Sequence, residues 1–211
     1  DVTPPSELVS YLNNFKGVNC VSKRLFNIFK NAGLVNLKLT ENGVDTEMFK
    51  QKKTFHKNGN YNIGFAGNTQ THDWRKGFTE FILPSSDLDK VELHQANRES
   101  SLLVPQNEMS SFYNKLDTYI CASSSEGFSL SVLEASSSGI PIISTKVGGC
   151  EDLIIDDFNG FLVDRDIESI QEKIILLRNN PDLVISMGNN NRKNIENYWS
   201  WKIKKNAWMD F

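Results

Sequence analysis

Short apolar runs rich in β-branched residues alternate with segments of helical periodicity along most of the 211-residue chain. This alternation is typical of βαβ units, in which helices connect parallel strands. The predicted strands are Val18–Val21, Val35–Leu39, Tyr61–Ala66, Val91–Gln95, Thr118–Ala122, Ile140–Ser144 and Gly160–Val163. The predicted helices are Ser22–Asn31, Lys76–Leu83, Gln106–Leu116, Leu130–Ser138, Ile167–Arg178 and Asp182–Tyr198. The pattern therefore predicts an α/β fold built on a Rossmann-like, doubly wound parallel sheet.

Helix-ending and helix-capping residues fall where this pattern needs them. Gly33 is placed to end the first long helix, and Gly139 with Pro141 to end the helix before residue 140. Asp164 or Asp166 is placed to cap the helix that follows. Local chemistry therefore supports the boundaries that periodicity predicts.

The composition changes at residues 51–60, a polar and charged segment without periodicity, which we interpret as a linker or loop. Residues 61–197 then form the Rossmann-like domain, and residues 1–50 belong to the end of a preceding domain and its hinge. Residues 198–211 carry aromatic side chains with lysines between them, which predicts a final helix that packs on another part of the protein. Because the chain begins with Asp1 rather than Met, we expect it to be a fragment.

Composition and charge narrow the class of protein. Hydrophobic residues make up 39% of the chain, enough for the core of an α/β domain. The formal net charge of -3 argues against a nucleic-acid-binding surface, which normally shows a basic excess. Cys20, Cys121 and Cys150 follow the spacing of neither a zinc site nor a disulfide framework, which predicts a reducing, cytoplasmic compartment.

The segment Ser123–Ser138, with the sequence SSSEGFSLSVLEASSS, follows a predicted strand and leads into a predicted helix. In a parallel α/β sheet such a loop lies at the carboxyl end of the strand, where ligands bind. The N–H groups of Phe128, Ser129 and Leu130 have no partner within the first helical turn, so they favour an anion or a sugar hydroxyl.

Two carboxylates stand in this segment, Glu126 in the loop and Glu134 in the helix. Carboxylates accept charge-assisted hydrogen bonds, so the pair is suited to hold two diol units of one ligand, and Gly127 allows that ligand to approach the backbone. Taken alone, the pair is explained better as a first-turn acid and a solvated helix residue. The apolar neighbours Leu133 and Ala135 place Glu134 on a buried helix and favour the binding role.

A second loop of this kind, Gly64–Gly77, has the sequence GFAGNTQTHDWRKG. It connects a predicted strand to a predicted helix and contains glycines, which suits a loop that faces a phosphate.

Together these segments resemble retaining glycosyltransferase family 4, whose fold is GT-B. Glu126-Gly127-Phe128-Ser129-Leu130 and Leu133-Glu134-Ala135 resemble its E-x7-E motif. Further similar segments are Asn42-Gly43-Val44-Asp45, Gly139-Ile140-Pro141-Ile142-Ile143, Val147-Gly148-Gly149-Cys150-Glu151 and Asn159-Gly160-Phe161-Leu162-Val163. The chain is thereby identified as the C-terminal, nucleotide-sugar-binding half of such an enzyme, because an ordered set of motifs is far more specific than any one of them.

The resemblance assigns roles to individual residues. Glu134 is expected to bind the ribose hydroxyls, Glu126 to contact the donor sugar near the reacting centre, and residues 127–130 to touch sugar and phosphate. Lys76 is expected to face the diphosphate, as are the backbone amides of Gly148 and Gly149. Main-chain groups near Val104 are expected to contact the base.

The loop after Gly67 departs from the family pattern. Asn68 stands where the family has an arginine, which removes one positive charge expected beside the diphosphate. Arg75 is a candidate replacement, but on a regular helix its neighbour Lys76 would point elsewhere. Unless another cation replaces the arginine, we expect this departure to lower the affinity for the donor.

The resemblance implies transfer of a sugar from a nucleoside diphosphate to a glycan or glycolipid acceptor, with retention and without a cofactor or metal. Asp87-Leu88-Asp89 is formally a D-x-D motif, but it lies in a predicted loop, and we discount it as a metal site. The resemblance implies that the acceptor site belongs to the first domain, most of which we expect to lie outside this chain, and peripheral membrane association through that domain is a further hypothesis. Two alternatives stay open: a non-catalytic module that binds a nucleotide sugar or another protein, and another GT-B enzyme such as a nucleotide-sugar epimerase.

Overall fold

The computed structural model of the protein describes residues 3–51, 59–97 and 102–211. Its strands are β1 (Val18–Cys20), β2 (Leu37–Leu39), β3 (Tyr61–Ala66), β4 (Val91–Ala96), β5 (Thr118–Cys121), β6 (Ile142–Thr145) and β7 (Gly160–Val163). Within the described ranges β1 and β2 form a small sheet, and a larger sheet has the order β4-β3-β5-β6-β7. All neighbouring strands in both sheets run parallel. The predicted parallel α/β sheet is therefore confirmed.

The helices of the described residues are α1 (Ser6–Leu12), α2 (Lys23–Asn31), α3 (Asp73–Lys76), α4 (Leu83–Ser85), α5 (Met109–Tyr113), α6 (Leu130–Ser137), α7 (Cys150–Leu153), α8 (Ile167–Asn179), α9 (Pro181–Asn194) and α10 (Trp201–Met209). A 3₁₀ turn, Gln106–Glu108, precedes α5, and π-helical turns cover Phe78–Ile82 and Ile195–Trp199. The short helices α1 and α7 were not predicted, because a helix of so few residues does not show a clear helical periodicity.

Hydrophobic clusters cover both faces of the larger sheet. Along β5 and β6 successive side chains point to opposite faces: Tyr119 and Ile142 belong to one buried cluster, and Ile120 and Ile143 to the other. The first cluster includes residues of α5 and α6, and the second includes residues of α8. Helices on both faces are the arrangement expected of a doubly wound sheet.

The strand order reverses between β3 and β5. The chain continues from β3 to β4 on one side, whereas β5, β6 and β7 follow each other on the other side. In open α/β sheets the crevice outside the carboxyl ends of the strands at such a reversal is the usual ligand site. The loops that follow β3 and β5 are the two loops in which the sequence predicts binding residues.

The segment that contains α1, β1, α2 and β2 contacts the larger sheet's domain through polar groups of α2. The backbone N–H of Lys23 donates to the Asp152 carboxylate at 2.8 Å. Arg24 forms an ion pair with Glu151 at 2.9 Å and donates to the carbonyl of Lys146 at 2.7 Å. These contacts place α2 beside the loop that follows β6.

Most of the predicted linker 51–60, namely residues 52–58, lies outside the described residues. The division into domains at 50 and 60 therefore stays a prediction. None of the helices in the described ranges has the length and apolar character needed to cross a bilayer.

Candidate functional site

Asn68 shapes the backbone of the loop that follows β3. Its side-chain oxygen accepts hydrogen bonds from the N–H groups of Gln70 at 3.0 Å and Thr71 at 3.1 Å, which is an Asx turn. The preceding Gly67 donates its N–H to the carbonyl of Ala96 at 3.0 Å. Asn68 thus organises the loop, and it supplies no charge where the family pattern has an arginine.

The sequence predicts that the helix after this loop begins at Lys76. In the structure Lys76 is instead the last residue of α3. Gly77 adopts a left-handed conformation with φ 67° and ends α3 after a single turn, before a new helical segment starts at Phe78. The interruption places Arg75 and Lys76 together at the end of a short turn. Both side chains reach the Glu126 carboxylate, although only Lys76 lines the cavity described below.

Backbone and side-chain contacts hold α3 against the end of β5. The N–H of Ser124 donates to the carbonyl of Arg75 at 2.8 Å. Arg165, which no sequence pattern indicated, donates to the carbonyls of Ala122 at 2.9 Å and Trp74 at 3.0 Å. The two loops at the strand reversal are therefore joined to each other.

Glu126 forms ion pairs with both basic residues of α3 and accepts a hydrogen bond from Lys76. Its Oε1 lies 2.6 Å from Lys76 Nζ and accepts the hydroxyl of Ser123 at 2.8 Å, and its Oε2 lies 3.8 Å from Arg75 Nη1. The side chains of Glu126 and Lys76 are only 8% and 16% exposed. Water screens such a pair weakly, so losing one partner costs far more than it does at an exposed pair.

Glu134 lies one turn into α6 and is held from a neighbouring helix. The hydroxyl of Tyr113 donates to Oε2 at 2.8 Å, and Gln106 Nε2 donates to Oε1 at 3.4 Å. At the start of the same helix, the N-cap Ser129 makes no side-chain hydrogen bond to the helix backbone. The first two residues of α6, Leu130 and Ser131, line the same cavity as Glu134.

Lys76, Gln106, Tyr113 and Glu134 line a cavity of about 360 Å³. We call it the Glu134 cavity; six of the predicted site residues line it, namely Gly67, Asn68, Lys76, Val104, Leu130 and Glu134. Seven further residues complete it, namely Ala66, Ala96, Asn97, Gln106, Met109, Tyr113 and Ser131. Ala66, Gln106 and Ser131 belong to segments that the sequence indicated, and the other four do not. Its volume is within the range of small-molecule sites, and it combines a cation, a carboxylate and exposed backbone.

A second cavity of about 480 Å³, the Glu126 cavity, lies on the other side of the Lys76–Glu126 pair. Its lining residues are Pro4, Leu8, Arg24, Leu25, Ile28, Phe29, Ser124, Ser125, Glu126, Val147 and Gly148. Helices α1 and α2 contribute apolar side chains and Arg24, and the loop after β5 contributes the hydroxyls of Ser124 and Ser125 and the carboxylate. The ion pair connects the two cavities, because Lys76 lines the first and Glu126 the second.

The remaining predicted residues support the loop of Glu126. The Gly149 amide donates to the carbonyl of Gly127 at 3.1 Å, and the Phe128 ring packs on Trp199 with centroids 5.4 Å apart. Gly127, Phe128, Ser129, Arg75, Gly148 and Gly149 do not line the Glu134 cavity. Contacts of these residues with a nucleotide sugar stay predictions.

Gly148 approaches the Glu126 loop so closely that a side chain does not fit. A Cβ at this position would lie 2.0 Å from the carbonyl oxygen of Glu126, and φ is +44°. We expect Gly148→Ala to lower the free energy of unfolding by at least about 2 kcal/mol more than Gly33→Ala, in urea titrations. Gly33 has φ +93°, and a Cβ added there would have no other atom within 4 Å. Gly33→Ala therefore measures the cost of the backbone conformation alone. Equal losses in the two variants would contradict this close packing.

The D-x-D segment lies at the opposite end of the sheet. Asp87 and Asp89 are exposed and stand just before β4, at the amino ends of the strands. Among the residues in the described ranges, no group of three or more His, Cys, Asp or Glu is arranged to hold a metal ion.

Residues 89–194, half of the chain, match the sequence model of the family described as glycosyl transferases group 1. The chain belongs to this glycosyltransferase family. Over 192 residues it is 28% identical to the capsular polysaccharide biosynthesis glycosyltransferase CapM of Staphylococcus aureus. That match covers 78% of this glycosyltransferase chain and 50% of CapM, so the chain spans about half the length of this relative.

Solved structures share the fold of this glycosyltransferase chain. Sucrose-phosphate synthase from Thermosynechococcus elongatus matches with a TM-score of 0.81 and 16% identity, over 96% of this chain and 58% of that one. Anabaena HepE, solved in complex with UDP-glucose, matches with a TM-score of 0.80 and 17% identity, over 97% of this chain and 66% of that one. The predicted GT-B fold is confirmed, whereas membership of family 4 stays a prediction.

Proposed function

We propose that the chain binds a nucleoside-diphosphate sugar in the Glu134 cavity and forms the donor-binding part of a retaining glycosyltransferase of family 4. One observation carries the proposal: Lys76 and Glu134, which are 58 positions apart in the sequence, line one cavity at the strand reversal. A cation and a carboxylate in one cavity suit the two polar parts of a nucleoside diphosphate, its phosphates and its ribose. The UDP-glucose complex of HepE, a protein of the same fold, supports this choice of ligand.

The lining residues suggest how the ligand would lie. Lys76 and the backbone amides at the start of α6 would hold the diphosphate, since a helix N-terminus favours anions. Glu134 would accept hydrogen bonds from the ribose hydroxyls, and main-chain groups near Val104 would contact the base. The donor sugar would then lie next to the Lys76–Glu126 pair.

The reaction breaks the bond between the anomeric carbon and the diphosphate, so negative charge grows on the leaving group and positive charge on the sugar ring. Lys76 would stabilise the leaving diphosphate. Glu126, held by Lys76, Arg75 and Ser123, would orient the donor sugar and face the positive charge on its ring. We assign Glu126 to positioning and electrostatic stabilisation and not to nucleophilic attack.

We place the acceptor, a glycan or glycolipid, in the Glu126 cavity. This cavity adjoins the carboxylate beside which the donor sugar would lie, and it offers both hydroxyls and apolar side chains. In this proposal residues 1–50 are the end of a first GT-B domain, residues 61–197 the donor domain and residues 198–211 the helix that returns to the first domain. The enzyme would act in the cytoplasm, on the sugar of a glycan or lipid-linked acceptor.

A non-catalytic nucleotide-sugar-binding module is the second candidate, because Asn68 gives the loop no charge. The family match argues against a GT-B enzyme of another class, such as an epimerase. Release of nucleoside diphosphate with and without an acceptor extract distinguishes the two candidates. A transferase releases it faster when the acceptor is present, and a binding module does not.

Donor binding is tested by thermal unfolding of the chain with UDP, GDP or ADP. At 100 times its Kd a ligand adds about 2.7 kcal/mol of stability. For a chain of this size we expect one nucleotide to raise the Tm by about 5–10 °C. Glu134→Ala should reduce that shift, whereas Glu172→Ala, an exposed position on α8, should not. If no nucleotide changes the Tm, the proposed function is wrong.

A further inference from the structure

Tyr113, at the end of α5, is fixed by aromatic packing. It is 0% exposed, and its ring centroid lies 5.9 Å from that of Phe49, 5.4 Å from that of Phe112 and 5.8 Å from that of Tyr119. Such edge-to-face contacts hold a ring in one orientation. The position of its hydroxyl is therefore set by the core and not by solvent.

That hydroxyl is a permanent hydrogen-bond donor to Glu134. It donates to Oε2 at 2.8 Å. Burial, together with the nearby Tyr119 and the Glu134 carboxylate, raises the pKa of Tyr113 well above its ordinary value, so the hydroxyl keeps its proton. A phenylalanine would fill the same aromatic cluster, which means that the hydroxyl's contribution is the bond to Glu134.

A glutamate side chain has several rotatable bonds, and a freely moving carboxylate would lose entropy when it binds a sugar. With Oε2 held by Tyr113 and Gln106 3.4 Å from Oε1, the Glu134 carboxylate is aligned before a ligand arrives. A carboxylate offers about four acceptor positions, more than the bonds from Tyr113 and Gln106 use.

We propose that Tyr113 is a positioning residue that fixes the Glu134 carboxylate for the ribose hydroxyls and thereby makes the Glu134 cavity selective for ribonucleotides. The inference rests on the proposed function, since it assumes that a nucleoside diphosphate binds there. It predicts that the hydroxyl of Tyr113 contributes to affinity only when the ligand carries ribose hydroxyls.

The test compares two ligands by calorimetry on the 211-residue chain. The first is whichever of UDP, GDP and ADP raises the Tm most, and the second is its 2′,3′-dideoxy analogue. Tyr113→Phe should weaken binding of the ribonucleotide about tenfold, as expected for a lost hydrogen bond to a charged group, and change binding of the dideoxy analogue less than about twofold. A merely structural role would weaken both ligands equally.

Two further variants make the outcome decisive. Tyr61→Phe removes another buried hydroxyl, bonded to Thr118 away from the cavity, and should leave both affinities unchanged. Adding Tyr113→Phe to Glu134→Ala should cause no further loss, because the hydroxyl acts through the carboxylate. Equal loss for both ligands, additive losses in the double variant, or no change in Tyr113→Phe would overturn the inference. If the wild-type chain binds no nucleotide, the proposed function itself fails.

Discussion

Replacing Lys76 with Met is expected to weaken binding of a nucleoside diphosphate about 10- to 100-fold, because a hydrogen bond to a charged group contributes about 1.5–3 kcal/mol. Two effects act in the same direction. The diphosphate loses a cation that lines the Glu134 cavity, and Glu126 loses its partner at 2.6 Å. The carboxylate of Glu126 is only 8% exposed, so without Lys76 its negative charge beside the ligand is less well neutralised.

Calorimetry with the nucleoside diphosphate measures this loss, and ligand-observed NMR measures binding of the corresponding nucleoside. The nucleoside should bind Lys76→Met and wild type within about threefold, since base and ribose do not need the cation. Lys205→Met, at an exposed position of α10, removes the same charge from the surface and should change neither affinity. If Lys205→Met weakens the diphosphate as strongly as Lys76→Met, the effect is one of net charge, and Lys76 has no specific role.

Replacing Glu126 with Gln is expected to reduce turnover about 100- to 1,000-fold, the range seen when one electrostatic contact to a transition state is lost. Gln has nearly the same shape and keeps an oxygen that can accept from Ser123, which donates to Glu126 at 2.8 Å. It lacks the negative charge that would face the developing positive charge on the sugar. Affinity for the nucleoside diphosphate should change less than about threefold, because the loss concerns the transition state.

Turnover is measured as the rate at which nucleoside diphosphate is released. The assay uses the natural protein in which these 211 residues occur. Glu172→Gln is the matched control, since Glu172 is exposed on α8 and lines neither cavity. It should retain turnover within about threefold of wild type. Turnover of Glu126→Gln within tenfold of wild type would exclude the role that we assign to this carboxylate.

The sequence predicted the larger sheet well because four of its strands, β3, β5, β6 and β7, are mostly buried runs with strong β propensity. The bounds of β3 and β7 agree with the prediction, and most other strands differ by one or two residues. Gly33 and Asp166 also act as predicted: Gly33 has a positive φ after α2, and Asp166 accepts from the N–H of Ser169 at the start of α8. These are local effects, which neighbouring residues in the chain determine.

The polar contacts of the site were less predictable because they join segments far apart in the chain. Nothing near Tyr113 or Gln106 marks them as partners of Glu134, which lies on another helix. The joint contact of Arg75 and Lys76 with Glu126 depends on Gly77, whose left-handed conformation ends α3. A helical period cannot indicate such an interruption, so the shared contact of Arg75 and Lys76 with Glu126 was not predicted.

The role of Asn68 was only partly predictable from the sequence. Its departure from the pattern of the resembled family was visible in the sequence and predicts the loss of a charge. Its Asx turn with Gln70 and Thr71 depends on the backbone that surrounds it. The sequence therefore indicated what the residue lacks, and the structure shows what it does.

A crystal structure of the chain with its preferred nucleoside diphosphate is the most direct test of the central claim, that the Glu134 cavity holds the nucleotide. We predict a ribose hydroxyl within about 3 Å of a Glu134 carboxylate oxygen, and a diphosphate oxygen at similar distance from Lys76 Nζ or from the first backbone amides of α6. A nucleotide bound outside this cavity, with Glu134 contacting only protein groups, would contradict the claim.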